Sequence, residues 1–195
     1  MDCIACSKKI CRVGESCSVE AFDGGELKKE YHLDENQKII QAAAALVDDG
    51  RAGSLSRIQE IIEFIQRMEY KKVGLAYCYG MEETAKNLRN ILRENNIRSS
   101  YVSCAVGGLK QDEVNDKSCI HNVSCNPLGQ ASQLNSEGVD FVLIMGICLG
   151  HDIILQRNLK PDFTTVIVKD RVYNHNPLHE LSPKQFIKPI EISQN

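Results

Sequence analysis

The stretch Lys72-Val-Gly-Leu-Ala-Tyr-Cys78, followed closely by Gly80, has the composition of a short buried β-strand that ends at a turn. After its first residue it contains only small, apolar or aromatic side chains, which is typical of a strand covered on both faces of a parallel sheet. The next segment, residues 82–95, repeats apolar side chains at helical spacing. A buried strand that leads into an amphipathic helix predicts the first unit of an α/β fold.

The same alternation of strand and helix continues along the chain. We predict further strands at residues 97–104, 140–145 and 163–168, with helices at residues 127–137 and 151–158. Parallel strands joined by right-handed crossovers form a sheet with helices on both faces. We therefore expect an α/β fold with a doubly wound, mostly parallel four-stranded sheet in the order 2-1-3-4. Such a sheet binds ligands at the carboxyl ends of its strands, where the strand order reverses.

Two more amphipathic helices are predicted before the sheet, at residues 39–47 and 58–68, and they are expected to pack as a hairpin. Asp23-Gly24-Gly25 marks a turn that opens a charged linker to the first of them. The chain is thus expected to have three parts: a cysteine-rich metal-binding knuckle at residues 1–22, a linker and helical hairpin at residues 23–70, and an α/β domain at residues 71–195.

Four of the nine cysteines lie in the first part, as Cys3-x-x-Cys6-x4-Cys11-x5-Cys17. A pair of cysteines separated by two residues lets both thiolates face one ion, and two more complete the four ligands of tetrahedral zinc or of an iron–sulfur cluster. Two disulfide bonds are the alternative. No secretory signal is visible and nine is an odd number, so we expect a reducing, cytoplasmic compartment and a metal site, with zinc favoured over a cluster.

Four other cysteines are predicted to converge at the carboxyl edge of the sheet. Cys78, Cys104 and Cys148 each follow a predicted strand, and Cys125 immediately precedes a predicted helix that leads into the same edge. Helix N-termini favour the thiolate form of Cys125 and Cys148. His151 is a further candidate as a ligand or proton donor. The alternative for each cysteine is a small buried side chain without a ligand role.

Three other residues in these regions carry weaker signals. Cys119 lies in a long loop and is expected to be an incidental exposed thiol. Asp170 and Arg171 follow the last strand and reach the same edge of the sheet, where they could take part in the site or form a surface ion pair.

Charge and hydropathy exclude two classes of partner. The chain has 23 Lys and Arg residues against 26 Asp and Glu residues and a net charge of −3, with no basic stripe that would bind nucleic acid. Its longest apolar stretch, residues 141–149, is far shorter than the roughly 20 residues that cross a bilayer. We expect no nucleic-acid or membrane partner.

Several segments of the second half resemble the Domain of Unknown Function 1847 family. The similarity is carried by Cys125-Asn-Pro-Leu-Gly-Gln-Ala-Ser-Gln-Leu-Asn135, Gly146-Ile-Cys-Leu-Gly-His-Asp152 and Thr164-Thr-Val-Ile-Val-Lys-Asp-Arg-Val172, followed by His175-Asn-Pro177. A cysteine that closes the first strand, Cys78, also fits the family. The resemblance implies a cysteine-rich, bacterial or archaeal metal-binding protein and does not imply a reaction.

Three functions remain open at this point. The first is a metal-binding protein with zinc or an iron–sulfur cluster at both cysteine groups, and all-thiolate ligation also allows copper(I). The second is a thiol–disulfide or iron–sulfur redox enzyme that uses the strand-end cysteines, with a redox or small-molecule partner. The third is a nucleotide- or small-ligand-binding module, which is weakened because no G-x-G-x-x-G or Walker sequence follows any predicted strand.

Overall fold

The computed structural model describes residues 2–17 and 21–181. The chain divides into two compact units, Met1–Ser54 and Leu55–Asn195. The boundary falls between the two helices for which a hairpin is predicted, and the three-part division of the chain remains a prediction. Residues 182–195 of the predicted α/β domain lie outside the described residues.

The first unit contains a short 3-10 helix, Ile10–Val13, and two α-helices, α1 (Gly24–Tyr31) and α2 (Asp34–Val47). Helix α1 occupies the stretch for which a turn and a charged linker are predicted. The Asp23 side chain accepts hydrogen bonds from the N–H groups of Gly25 at 2.7 Å and Glu26 at 3.2 Å. This capping explains the difference, because an aspartate that precedes a helix satisfies the free N–H groups of its first turn.

The second unit alternates strands and helices. Its elements are α3 (Arg57–Met68), β1 (Val73–Tyr77), α4 (Glu82–Glu94), β2 (Ser99–Ser103), α5 (Gln111–Val114), α6 (Pro127–Ser136), β3 (Phe141–Met145), α7 (Leu149–Asn158) and β4 (Asp162–Ile167). Short 3-10 helices lie at Tyr79–Met81 and Pro177–His179. The sequence predicts all of these strands and the longer helices, but not the short helix α5 inside the long loop after β2.

The four strands form one parallel sheet in the order β2-β1-β3-β4. This confirms the predicted fold class and strand order. The register aligns Tyr77 with Ser103 on one side and with Met145 on the other. Three strands therefore end at the same level, and the residues that follow them share the carboxyl edge of the sheet.

Helices cover the two faces of the sheet. The crossovers from β1 to β2 and from β2 to β3 run in opposite directions, so right-handed connections put α4 and α6 on opposite faces. Helix α6 packs against α7, and α3 lines a groove with α4. The central strand β1 is tightly covered, because a Cβ at Gly74 would lie 2.8 Å from Leu134 of α6. The buried core of this unit holds the carboxyl edge in place.

Among the described residues, no helix combines the length and the apolar character that crossing a membrane requires.

Candidate metal centre

Backbone hydrogen bonds extend the sheet past its strands and fix two cysteines at the carboxyl edge. The N–H of Cys78 donates to the carbonyl oxygen of Met145 at 3.0 Å, and the N–H of Cys104 donates to that of Tyr77 at 2.9 Å. Only 6% of Cys78 and 1% of Cys104 is exposed. The two thiols therefore lie on neighbouring strands, in surroundings from which water is largely excluded.

The loop that carries Cys125 is held over the end of β2. The N–H of Asn126 donates to the carbonyl oxygen of Cys104 at 2.7 Å, and its side chain donates to that of Val106 at 3.0 Å. The Asn126 side chain also caps α6, since its Oδ1 accepts the N–H of Gly129 at 2.8 Å. These contacts bring the sulfur of Cys125 to 3.5 Å from the sulfur of Cys104.

A glycine turns the chain from β3 toward Cys148. Gly146 has a φ of +61°, which favours glycine, and a Cβ at this position would overlap the sulfur of Met81. The turn leads directly to Cys148, the residue that precedes α7. His151 lies three residues further on, in the first turn of the helix. The turn therefore sets the position of both side chains.

Cys125, Cys148 and His151 form a group of three metal-ligand types. One ligand atom from each lies within 4.8 Å of the others, and all three side chains are half-buried. Two thiolates and an imidazole are ligands that zinc uses in proteins, and three protein ligands leave a fourth position of a tetrahedral ion open. Among the described residues, the buried Nδ1 of His151 has no hydrogen-bond partner, and a bound metal ion would satisfy it.

Two cations that follow β4 face the thiols. The Nζ of Lys169 donates to the sulfur of Cys78 at 3.2 Å, and an Nη of Arg171 donates to the sulfur of Cys148 at 3.1 Å. Arg171 thus contacts a thiol, in place of the surface ion pair that is one alternative for Asp170 and Arg171. Lys169 is not among the predicted site residues, and its position directly after the last strand is the signal that could have identified it.

The surroundings raise the pKa of two of these thiols, Cys104 and Cys125. Burial raises the pKa of the Cys104 thiol to about 12, with the neighbouring sulfurs of Cys125 and Cys78 adding to the rise and the N–H of Tyr79 opposing it. Burial also raises the pKa of Cys125, and nearby Cys148 and Cys78 contribute to this rise. A thiolate buried among other sulfurs is costly, and a bound cation would remove that cost.

Gln130 lies beneath these cysteines and is fully buried. Its Nε2 donates to the carbonyl oxygens of Val102 at 2.9 Å and Tyr77 at 3.3 Å, so it joins the ends of β2 and β1. Its Oε1 has no hydrogen-bond partner in the part of the chain that the structure describes. Gln130 is not among the predicted site residues, because a glutamine in an amphipathic helix is ordinarily exposed.

The four N-terminal cysteines surround one cavity of about 400 Å³ together with three basic residues, Lys8, Lys9 and Arg12. The N–H of Lys9 donates to the sulfur of Cys6 at 3.4 Å. Partial desolvation raises the pKa of Cys17, and the neighbouring thiols of Cys11 and Cys3 raise it further. These cysteines share a cavity, but no three of their sulfurs meet the 4.8 Å spacing of the group at the sheet edge.

All nine cysteines are free thiols in the structure. Cys119 is exposed on the loop after β2, near a bridge between Lys110 and Val123. His121 of the same loop contacts Asp112 at 2.9 Å. Cys119 therefore differs from the eight cysteines that gather at the N-terminus and at the sheet edge.

Comparison with known proteins identifies relatives over most of the chain. The model of a family described as protein of unknown function (DUF1847) matches residues 17–166, which include every strand-end cysteine and, of the N-terminal group, Cys17. An uncharacterised protein of Methanocaldococcus jannaschii is 38% identical over 193 residues, covering 97% of this chain and 98% of its own length. No solved structure gives a significant match. The chain belongs to the DUF1847 family, as the resemblance of its sequence motifs predicts.

Proposed function

We propose that the protein binds a metal at the carboxyl edge of its sheet through Cys125, Cys148 and His151. The observation that carries this proposal is the convergence of their three ligand atoms within 4.8 Å. The donor set of two sulfurs and one imidazole favours zinc or a similar soft divalent ion. Cys104 does not belong to this group, although its sulfur contacts that of Cys125. The three ligands therefore leave the fourth position of a tetrahedral metal open.

The charges around the site support thiolate ligation. Lys169 and Arg171 each donate a hydrogen bond to a sulfur, and a cation next to a thiol favours the deprotonated form that metals bind. The same cations would lower the repulsion between thiolates while the site is assembled. Cys78, next to Lys169, is a reserve ligand for a larger centre such as an iron–sulfur cluster, which also needs Cys104.

A second metal site is proposed at the N-terminus, on Cys3, Cys6, Cys11 and Cys17. Its support is the shared cavity and the hydrogen bond from the N–H of Lys9 to the sulfur of Cys6, a contact that orients a thiolate toward an ion. The three basic side chains that line the cavity would offset the negative charge of a four-thiolate site. Zinc or an iron–sulfur cluster satisfies this donor set, and a reducing setting such as the cytoplasm would keep its thiols free for a metal.

Metal analysis of protein purified without oxygen tests both sites, with an absorption spectrum to separate colourless zinc from a coloured cluster. We expect two metal equivalents or their cluster equivalent per chain. Cys6→Ser and Cys148→Ser should each lose one site, whereas Cys119→Ser, the matched control, should lose none. A chain that takes up no metal when it is purified or reconstituted under these conditions would contradict the proposal.

A thiol–disulfide redox function is a second candidate, favoured by the 3.5 Å separation of the Cys104 and Cys125 sulfurs. In this reaction the two thiols would form one disulfide bond and release two protons, and two electrons would pass to a small-molecule disulfide. The two functions depend on different residues. Redox cycling requires Cys104 and no metal, so it would be lost without Cys104, whereas metal binding at the proposed site would be lost without Cys148 or His151.

A further inference from the structure

We propose that the candidate metal centre binds a small oxyanion, the carboxylate or phosphate group of a metabolite, as its ligand. Lys169 and Arg171 hold this anion beside the open metal position. The inference rests on the proposed metal site and deepens it by naming the class of ligand that the open position receives.

The two cations stand apart from the carboxylates of the described residues. Within the part of the chain that the structure describes, no carboxylate lies in ion-pair distance of Lys169 or Arg171. The nearest acidic residue in sequence is Asp170, whose Oδ1 accepts the N–H groups of Val172 at 2.9 Å and Tyr173 at 3.0 Å. Asp170 therefore shapes its own loop, and among the described residues the side chains of the cations on either side of it donate hydrogen bonds to sulfur.

Metal binding would leave positive charge at this edge. A divalent ion cancels the charges of the Cys125 and Cys148 thiolates, and a neutral imidazole adds none. Arg171 would then face a sulfur whose charge the ion has neutralised. Cys78 is the remaining thiol in contact with a cation, and even a charged sulfur there would offset only one of the two positive charges. The centre with its metal bound would therefore carry excess positive charge and attract an anion.

The positions of the cations suit an anion bound to the metal itself. The guanidinium of Arg171 lies 3.1 Å from the sulfur of Cys148, which would in turn lie about 2.3 Å from a zinc ion. A ligand in the open position is therefore within reach of the planar fork of donors with which arginine binds carboxylate and phosphate. Arg171 is exposed and Lys169 is half-buried, so one cation stands at the entrance and the other deeper in the site.

The test uses full-length protein that carries Cys6→Ser, so that added cobalt(II) reports on the sheet-edge site. Sodium phosphate and sodium acetate are titrated at constant ionic strength against the visible absorption of the bound cobalt, with sodium chloride as the reference salt. We expect a saturable spectral change with phosphate or acetate, and the tighter of the two identifies the class of anion. Arg171→Gln and Lys169→Gln should each weaken this binding about tenfold, with the response normalised to bound cobalt.

Arg157→Gln is the matched control, because Arg157 is an exposed cation in the last turn of α7. It should bind the anion as the parent protein does. Bound cobalt whose spectrum responds to neither oxyanion would overturn the inference and leave the metal site standing. An equal loss in all three variants, Arg157→Gln included, would also overturn it, because general electrostatic attraction would then be the cause. A chain that binds no cobalt would overturn both proposals.

Discussion

At the scale of single residues, the cysteines of the sheet edge differ in their surroundings, and the chemical role open to each differs with them. Cys104 is fully buried and its thiol holds its proton up to high pH, whereas Cys148 is half-buried with its sulfur against the guanidinium of Arg171. Cys125 lies between the two and contacts Cys104. Cys125 therefore belongs to two pairs: with Cys148 it could bind metal, and with Cys104 it could form a disulfide bond.

We predict that loss of metal exposes Cys125 to oxidation. Its sulfur is 3.5 Å from that of Cys104, and closing to a disulfide requires a shift of about 1.5 Å, since bonded sulfurs lie about 2.05 Å apart. Metal-free protein treated with a small-molecule disulfide should lose two hydrogen masses in a peptide that joins the two residues. Protein loaded with metal should react at least tenfold more slowly, because a ligated thiolate is a poorer nucleophile.

Mass spectrometry of digested protein measures this cross-link, and two variants complete the experiment. Cys104→Ala should abolish the cross-link, whereas Cys119→Ala should preserve it because Cys119 is exposed elsewhere. Oxidation at the same rate with and without metal would show that Cys125 is not a ligand.

At the scale of secondary-structure elements, turns and helix ends place the side chains of the site. The turn between β3 and α7 depends on Gly146, and the loop before α6 depends on the side chain of Asn126. The other end of α6 is tied to β1, because Lys72 contacts Glu137 at 2.6 Å. Connections at both ends of the helices thus hold the sheet and its carboxyl edge together.

Gly146→Ala should destabilise the protein by about 2–4 kcal/mol, because alanine is strained at positive φ and its Cβ would overlap Met81. The displaced turn should also weaken metal binding through Cys148. Gly150→Ala is the matched control. Gly150 lies in α7 with no atom near its missing Cβ, so alanine there should stabilise by about 0.5–1 kcal/mol. Urea unfolding measures both changes, and equal stability of the two variants would contradict the account of the turn.

The contact between Lys72 and Glu137 predicts a pH dependence of stability. Lys72, with Gln133 and Ser100, holds the pKa of Glu137 below its ordinary value. A carboxyl group with a lowered pKa in the folded state stabilises the protein fully above its unfolded pKa of about 4.3, and this contribution is lost as the pH falls through the folded pKa. Glu137→Gln should therefore be less stable than the parent at pH 7, and the difference should vanish in acid. A difference that stays constant with pH would exclude this role.

At the scale of the whole molecule, the sequence predicts the sheet because its alternation of strands and helices and the handedness of crossovers leave few topologies. It misses what depends on capping or on contacts between distant residues. Helix α1 begins at two glycines, which favour a turn in the sequence, and the structure shows the contacts of Asp23 that cap it. Lys169 follows β4 and contacts Cys78 at the end of β1, with β3 between them, and no periodicity in the sequence encodes that contact. The sequence therefore predicts which edge of the sheet the cysteines occupy, but only the structure shows which cations and thiols contact them.

The two units differ in what stabilises them. The second unit has an apolar core in which residues such as Leu75 and Leu143 are fully buried. The N-terminal segment has no buried side chain in its 3-10 helix, and Ile4 and Val13 are 92% and 77% exposed. A segment without a core would depend on the proposed metal for folding, because metal-binding free energy is then folding free energy. The stability of the first segment should therefore follow its metal, while that of the sheet should not.

We predict that Cys6→Ser releases the N-terminal metal and unfolds that segment alone. Hydrogen exchange measured by mass spectrometry should become fast throughout residues 2–17, by at least a hundredfold, because no buried contact remains to protect their N–H groups. Protection of β1 and β3 should stay unchanged, since their hydrogen bonds lie in the core of the other unit. Cys119→Ser serves as the control and should alter neither region. Continued protection of residues 2–17 without metal would show that the segment folds by its own contacts, and loss of protection in β3 would show that the stability of the sheet also depends on the N-terminal metal.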